Sequence, residues 1–284
     1  MAASAFPVLP ALAVVGAGVL HATWNAMAKA IRDRYAGFAL MGTAAAGCGV
    51  LMLLASPVPA RAAWPWLCAS AVLHLVYTAL LARCYRLGDF NQVYPLARGT
   101  APLLVALVAA TTLGERLSLA QLGGVAAVCG GLCALALAGG NLRGHRTAVA
   151  AALLTGVSIA GYTLLDGVGV RHSGSASGYG GWLFLQEGLL VVGWAAAVRG
   201  RALLPGLAAH WLPGLAGGVV SVVAYGVVLW AQTRGTLAAV AALRETGVIT
   251  GALIGVVAFK EPMGRPRIVA ATVVAAGVAL INLR

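Results

Sequence analysis

The stretch YPLARGTAPLLVALVAATTLGE, residues 94–115, is a mostly apolar segment of membrane-spanning length that contains a single charged residue, Arg98, before its closing glutamate. A second stretch, AALRETGVITGALIGVVAFKE, residues 241–261, has a similar arrangement around Arg244. Each arginine stands 17 residues before the glutamate of its stretch. An arginine inside a bilayer is costly, so it needs a partner or a function. The repetition indicates that the chain is built twice.

The composition is that of an integral membrane protein. Hydrophobic residues make up 61% of the 284 residues, charged residues make up 9%, and the mean hydropathy is +0.93, which is too apolar for a soluble domain of this length. The net charge of +12 comes from dispersed basic residues, so we expect no nucleic-acid partner. The five cysteines lie mostly in apolar runs and predict no metal site.

The hydrophobic pattern predicts an all-α polytopic membrane protein with ten transmembrane helices. Five spans fall in residues 1–140 and five in 141–284. An odd number of crossings makes the second repeat enter the membrane from the opposite side, so the two five-helix repeats are predicted to be inverted. Inverted repeats are typical of secondary transporters, which bind substrate near the membrane midplane. The predicted spans are 8–31, 36–55, 64–86, 90–113, 119–138, 147–170, 178–198, 209–233, 237–259 and 264–283.

The distribution of basic residues predicts the orientation. Twelve lysines and arginines fall in the loops after the odd-numbered spans, and five fall on the other face. By the positive-inside rule, this count places both termini outside the cytoplasm.

The repeated segments resemble the ten-helix EamA-type branch of the drug/metabolite transporter superfamily over the whole chain. The resemblance is carried by Pro102 in span four, by Gly114 and Glu115 at its end, and by Glu261 and Pro262, where the family usually has GEP. It implies a transporter of the bacterial cytoplasmic (inner) membrane that needs no cofactor and is not an enzyme.

The sequence departs from the family pattern in span nine. Val248 occupies the place where the second repeat often has a proline, so a kink is expected in span four more than in span nine. The two intramembrane arginines mark a subgroup. Relatives generally have cytoplasmic termini, which conflicts with the charge count.

One face of span four combines Tyr94, Arg98 and Pro102 at helical spacing. A guanidinium on this face is suited to a carboxylate, phosphate or phosphonate of a substrate. The alternative is an internal ion pair with Glu187 or Glu245.

The acidic residues of the second repeat are candidates for proton coupling or ion pairing. Arg244 and Glu245 are neighbours and point about 100° apart on a helix, so one can face the cavity while the other pairs. Glu187 lies well inside span seven, where a carboxyl that titrates is suited to a proton-coupled carrier.

Aromatic and hydrogen-bonding residues in three spans predict the walls of a small-molecule pocket. The alternative is that the histidines only make interhelical hydrogen bonds. Asp166 is placed near the interface, and Tyr225 is a weaker candidate. The predicted substrate contacts beside the arginines and Tyr94 are His21, Trp24, Asn25, His74, Tyr77 and Tyr162.

The glutamates that end the two stretches, Glu115 and Glu261, are predicted to be structural. Each is placed to cap the following helix or to meet a loop arginine.

These features favour a secondary active transporter, working in the export direction, for a small polar or anionic metabolite such as an amino acid. Its partners are then the substrate, the lipid bilayer and coupling protons. No glycine-rich Walker loop is found, which excludes a self-contained ATP-driven pump. The alternatives are a multidrug or cation exporter and, with less support, an intramembrane enzyme or lipid-handling protein, since no nucleophile-base pair is found.

Overall fold

The computed structural model describes residues 8–87, 90–115, 117–138, 146–257 and 265–282. Within these ranges the chain forms eleven α-helices, two short 3₁₀ turns and no strand. The helices are α1 (Val8–Ala30), α2 (Arg34–Leu54), α3 (Trp64–Leu87), α4 (Phe90–Thr112), α5 (Leu119–Ala138), α6 (Arg146–His172), α7 (Ala176–Arg199), α8 (Leu204–Gln232), α9 (Leu237–Arg244), α10 (Gly247–Val257) and α11 (Arg265–Asn282).

Nine of the ten predicted spans correspond to one helix each, and the ninth does not. Span nine is divided into α9 and α10, with Glu245 and Thr246 between them. By length and apolar composition alone, six helical stretches among the described residues are able to cross a membrane, one of which joins α7 and α8. The all-helical, membrane-embedded class is thereby confirmed.

The break in span nine was not predicted from the sequence. Pro95 and Pro102 both lie inside α4, which runs as one helix, whereas span nine is interrupted without any proline. At this break the amides of Glu245 and Thr246 donate to carbonyls three residues earlier, at 3.1 and 3.2 Å. These tighter turns keep the backbone groups satisfied where the α-helical ladder stops.

Helix ends follow capping rules that are legible in the sequence. The Asp33 carboxylate accepts from the amides of Tyr35 and Ala36 at the start of α2, at 3.1 and 3.2 Å. Ser118 and Gln121 cap α5 reciprocally, at 3.0 and 3.2 Å. Side-chain oxygens thus satisfy amides that have no partner within the first turn of a helix.

The bundle pairs helices from the two halves of the chain. The most extensive contacts are α2 with α7, α5 with α11, and α3 with α6. Helix α8 packs against both α1 and α2. Many bulky apolar side chains point outward, including Leu54 at 80% exposure and Leu119 at 88%. Lipid tails are the natural environment for such a surface, as expected for an integral membrane protein.

Glycines set the closest helix crossings. Gly42 of α2 lies against Gly188 of α7, and a methyl group added at Gly188 would fall on the Gly42 carbonyl and lie 2.7 Å from the Ala46 amide nitrogen. Gly124 of α5 meets Gly277 of α11 in the same manner. Small residues allow such backbone approach in membrane bundles.

This geometry predicts opposite effects for two matched substitutions in α7. Gly188→Ala should destabilise the protein by about 1–3 kcal/mol, because the methyl group overlaps the α2 backbone. Gly193→Ala should be neutral or stabilising by up to about 1 kcal/mol, because nothing lies within 4 Å of its added methyl group and alanine favours the helix. Thermal unfolding of the purified protein in detergent measures both. Equal melting temperatures for the two variants would contradict the assigned α2–α7 contact.

Candidate substrate site

A cavity lies among α1, α2, α3, α6, α7 and α8. Its volume is about 60 Å³, which is room for roughly four water molecules. Its apolar wall includes Phe38, Met41, Phe184 and Val191. The polar and aromatic residues on its surface are His21, Trp24, His74, Tyr77, Thr78, Tyr162, Glu187, Ser221 and Tyr225.

Five of the predicted substrate contacts therefore share one cavity. They come from three helices, with His21 and Trp24 on α1, His74 and Tyr77 on α3, and Tyr162 on α6. Sequence spacing places the residues of one helix on one face, and the packing of α1, α3 and α6 brings the three faces together.

Asp166 is the centre of the polar network behind this cavity. It is fully buried in α6 and accepts hydrogen bonds from the hydroxyls of Tyr179 and Tyr225, at 2.9 and 2.6 Å. His74 Nε2 lies 3.1 Å from the same carboxylate. Asp166 is thus enclosed by donors on α3, α7 and α8, near the end of α6 and the start of α7. The signal for its importance was an acid inside an apolar span.

The imidazole of His74 is held between two acids. Its Nδ1 lies 3.5 Å from Glu187 Oε1, on the side opposite the contact with Asp166. Its ring stacks on Tyr162, with centroids 4.0 Å apart and planes tilted by 27°. This stacking helps to hold the ring so that its two nitrogens face the two carboxylates. Glu187 keeps 22% of its side chain exposed at the cavity wall.

The second polar cluster contains Arg98, which is 2% exposed in α4. Its Nε donates to Glu245 Oε2 at 2.7 Å, and its Nη1 lies 2.9 Å from His21 Nε2. The ion pair left open by the sequence is therefore with Glu245 and not with Glu187. His21, which lines the cavity, thus contacts this arginine.

His21 receives two competing donors. Trp24 Nε1 lies 3.2 Å from His21 Nδ1, and Arg98 Nη1 lies 2.9 Å from His21 Nε2. A neutral imidazole accepts at only one ring nitrogen, so the shorter contact with the cationic arginine takes precedence. The indole N–H of Trp24 is then a donor available to a ligand in the cavity.

Asn25 does not line the cavity. Its amide nitrogen donates to the His21 carbonyl at 2.8 Å, and its oxygen accepts from the Tyr85 hydroxyl at 2.7 Å. With its side chain turned to α3, Asn25 joins helices in the structure, in contrast to the predicted substrate contact.

Arg244 is the last residue of α9 and is 1% exposed. Its Nε lies 3.6 Å from Glu245 Oε1, and its three guanidinium nitrogens have no hydrogen-bond partner among the described residues. It lies behind the cavity wall, like Arg98.

The remaining predicted residues are at the ends of the bundle or outside the description. Gly114 has a positive φ of 64° after α4. Glu115 accepts from the Leu237 amide at 2.9 and 3.1 Å, so it caps α9 in the other half of the chain, and it pairs with Arg171 at 3.1 Å. The Tyr94 side chain, Glu261 and Pro262 lie outside the described residues. No group of metal-binding side chains occurs in the described part of the chain.

Comparison with known proteins identifies the family of the second half of the chain and a solved structure with a similar fold. Residues 146–283 match the model of the EamA-like transporter family. This second half of the chain belongs to the family, which is part of the drug/metabolite transporter superfamily. The predicted family is therefore confirmed by the second half of the chain, whereas Pro102, Gly114 and Glu115 lie outside the matched residues.

A solved structure, described only as the crystal structure of a protein, resembles this EamA-like transporter with a TM-score of 0.73. It is 20% identical, and the match covers 97% of this chain and 98% of that chain. At this identity the likeness concerns the fold alone. No curated protein matches the sequence.

The network around Asp166 predicts a large loss of stability for Asp166→Ala. The substitution leaves two buried tyrosine hydroxyls and His74 without their acceptor, a loss of about 3–5 kcal/mol. Asp166→Asn keeps one acceptor oxygen and should lose less. Ser70→Ala is the matched control, because the Ser70 hydroxyl is buried without a hydrogen-bond partner among the described residues. The stabilities of the variants are compared by their melting temperatures in detergent. An Asp166→Ala variant as stable as Ser70→Ala would refute the network.

Proposed function

We propose that this protein is a secondary active exporter of a small polar or anionic metabolite, with an amino acid as the leading candidate. The observation that carries the proposal is a central cavity with a basic cluster behind His21 and an acidic cluster behind His74. The proposed location is the bacterial cytoplasmic (inner) membrane. Export in preference to uptake is proposed from the family resemblance.

The charges of the two clusters favour a zwitterion. Arg98, Arg244 and Glu245 sum to one positive charge. On the other side, Asp166 and Glu187 with a protonated His74 sum to one negative charge. A molecule with a carboxylate and an ammonium group complements both ends of the site.

Inverted repeats are the proposed basis of alternating access, with residues 1–140 and 141–284 as the two units. If the two halves are interchanged, α1 takes the place of α6 and α3 takes the place of α8. The α1–α8 contact then becomes the α6–α3 contact, and both are extensive. The interchange likewise relates the contact of α4 with α6 to the contacts of α1 with α9 and α10. The α2–α7 and α5–α11 pairs map onto themselves. A symmetric contact pattern of this kind is expected when two repeats rock about a shared site.

The interrupted span nine supports the same mechanism. Transporters commonly bind their substrates and ions beside broken helices, because a break frees polar groups at membrane depth. In this chain, the break between α9 and α10 places Glu245 beside Arg98 of the other half.

Proton coupling through Glu187 and His74 is part of the proposal. The two groups are in contact at the cavity wall, where a substrate ammonium group and a proton compete for the same carboxylate. Competition of this kind couples the movement of one to the movement of the other.

A multidrug or cation exporter is the second candidate. It is favoured by the position of Glu187 on the aromatic-lined cavity, while both arginines lie behind the wall. Aromatic faces and a carboxylate are suited to lipophilic cations.

Flux measurements in proteoliposomes distinguish the two candidates. With an imposed pH gradient, we expect transport of labelled amino acids and a fall of about tenfold or more for Glu187→Gln, the cost of losing about 1.4 kcal/mol of interaction with the ammonium group. Gln186→Ala, on the same helix and off the cavity lining, should change the rate by less than about twofold. Transport of lipophilic cations without amino-acid flux would establish the second candidate, and no flux for any solute would refute both.

A further inference from the structure

Arg244 has an environment unlike that of the other buried charged side chains in the described residues. Arg98, Asp166 and Glu245 each have at least one hydrogen-bonded partner. Arg244 is 1% exposed, and its Nε, Nη1 and Nη2 atoms have none within the described part of the chain. Buried polar atoms are nearly always hydrogen-bonded in folded proteins, so a guanidinium with three unmatched nitrogens indicates a missing acceptor.

A count of charges leads to the same conclusion. Glu245 lies between two arginines, with one oxygen 2.7 Å from Arg98 Nε and the other 3.6 Å from Arg244 Nε. The other acids that the structure describes are engaged elsewhere, Asp33 with Arg199, Glu115 with Arg171, and Asp166 and Glu187 with His74. One positive charge of the cluster is therefore uncompensated by the described acids in a buried part of the bundle, which is unfavourable without an anion.

The two arginines differ because the repeat is not exact. Arg98 and Arg244 occupy equivalent positions, but the next residue is Gly99 in the first half and Glu245 in the second. Only one acid thus serves two guanidinium groups, and it is hydrogen-bonded to the arginine of the opposite half. Because Glu245 is hydrogen-bonded to Arg98, the guanidinium of Arg244 is available to a ligand.

The chemistry of the missing acceptor follows from the donor. A guanidinium presents a planar fork of N–H groups that matches two oxygens of one oxyanion. The local charge excess is a single unit, which matches a carboxylate. The neighbouring residues of α9, including Val240, Ala241 and Leu243, are apolar and fully buried, and their side chains offer no acceptor.

We propose that Arg244 is the binding site for a carboxylate group, and that Arg98 with Glu245 forms the structural ion pair beside it. This inference deepens the proposed function, because the carboxylate would belong to the transported molecule. Binding at Arg244 is nevertheless measurable without transport.

The test uses thermal unfolding of the purified full-length protein in detergent, with sodium formate as the probe and sodium chloride at equal ionic strength as the reference. Formate at about ten times its dissociation constant should raise the melting temperature by roughly 3 °C or more, and the effect should saturate. An equal rise in chloride would overturn the carboxylate assignment.

Variants locate the formate effect. Arg244→Met should abolish it without lowering the melting temperature in formate-free buffer, because the uncompensated charge is removed. Arg244→Lys, which keeps the charge without the fork, should weaken formate at least tenfold. Arg234→Met is the matched control, since Arg234 is exposed and stacks on Trp230, and it should respond like the unmodified protein. A formate response that survives both Arg244 variants would refute the proposal.

A competition experiment identifies the source of the carboxylate. If a transported amino acid uses Arg244, its stabilising effect and that of formate should not add. If the two stabilising effects add, the carboxylate bound by Arg244 does not come from the transported molecule. The ligand of Arg244 would then be a free oxyanion. Absence of flux with an intact formate response would count against the proposed transport function alone.

Discussion

A single carboxylate, that of Glu245, lies between two buried guanidinium groups inside the helix bundle. Its hydrogen bond to Arg98 joins α4 of the first half to the junction of α9 and α10 in the second. In a lipid environment an unpaired charge is costly, so this contact constrains how the two halves pack. The interruption of span nine is located at the same carboxylate, and the contact of Arg98 with His21 extends the network to the cavity.

The acidic network differs from the arginine cluster, because each of its charged side chains has a partner. Asp166 receives two tyrosine hydroxyls and lies in contact with the His74 ring, and that ring also meets Glu187. A satisfied network is rigid and keeps the aromatic wall in place. The less buried end of the network is Glu187, where we propose that a proton or a cationic group is exchanged. The proposed transport mechanism therefore combines a rigid acidic side with a basic side whose charges are unbalanced.

Much of the fold was predictable because bilayer physics constrains the sequence strongly. The apolar runs located the helices of nine spans, because each span must satisfy its backbone groups within lipid. The break in span nine was not predictable from proline content, because α4 tolerates Pro102 within a continuous helix while Val248 lies just after an interruption. Local backbone preference was overridden there by contacts between helices, among them the close approach of Gly18 to Gly247.

The sequence by itself determined that this is a helical membrane protein, and it supplied five of the aromatic and histidine residues that share the cavity. Those features depend on hydrophobicity and on spacing along one helix, which are local properties. Only the tertiary structure decided that Glu245 and not Glu187 pairs with Arg98, that Asp166 lies at the centre of the acidic network, and that Asn25 joins helices. These outcomes depend on which residues of different helices meet, and the 3.6-residue period of a single helix contains no information about its neighbours.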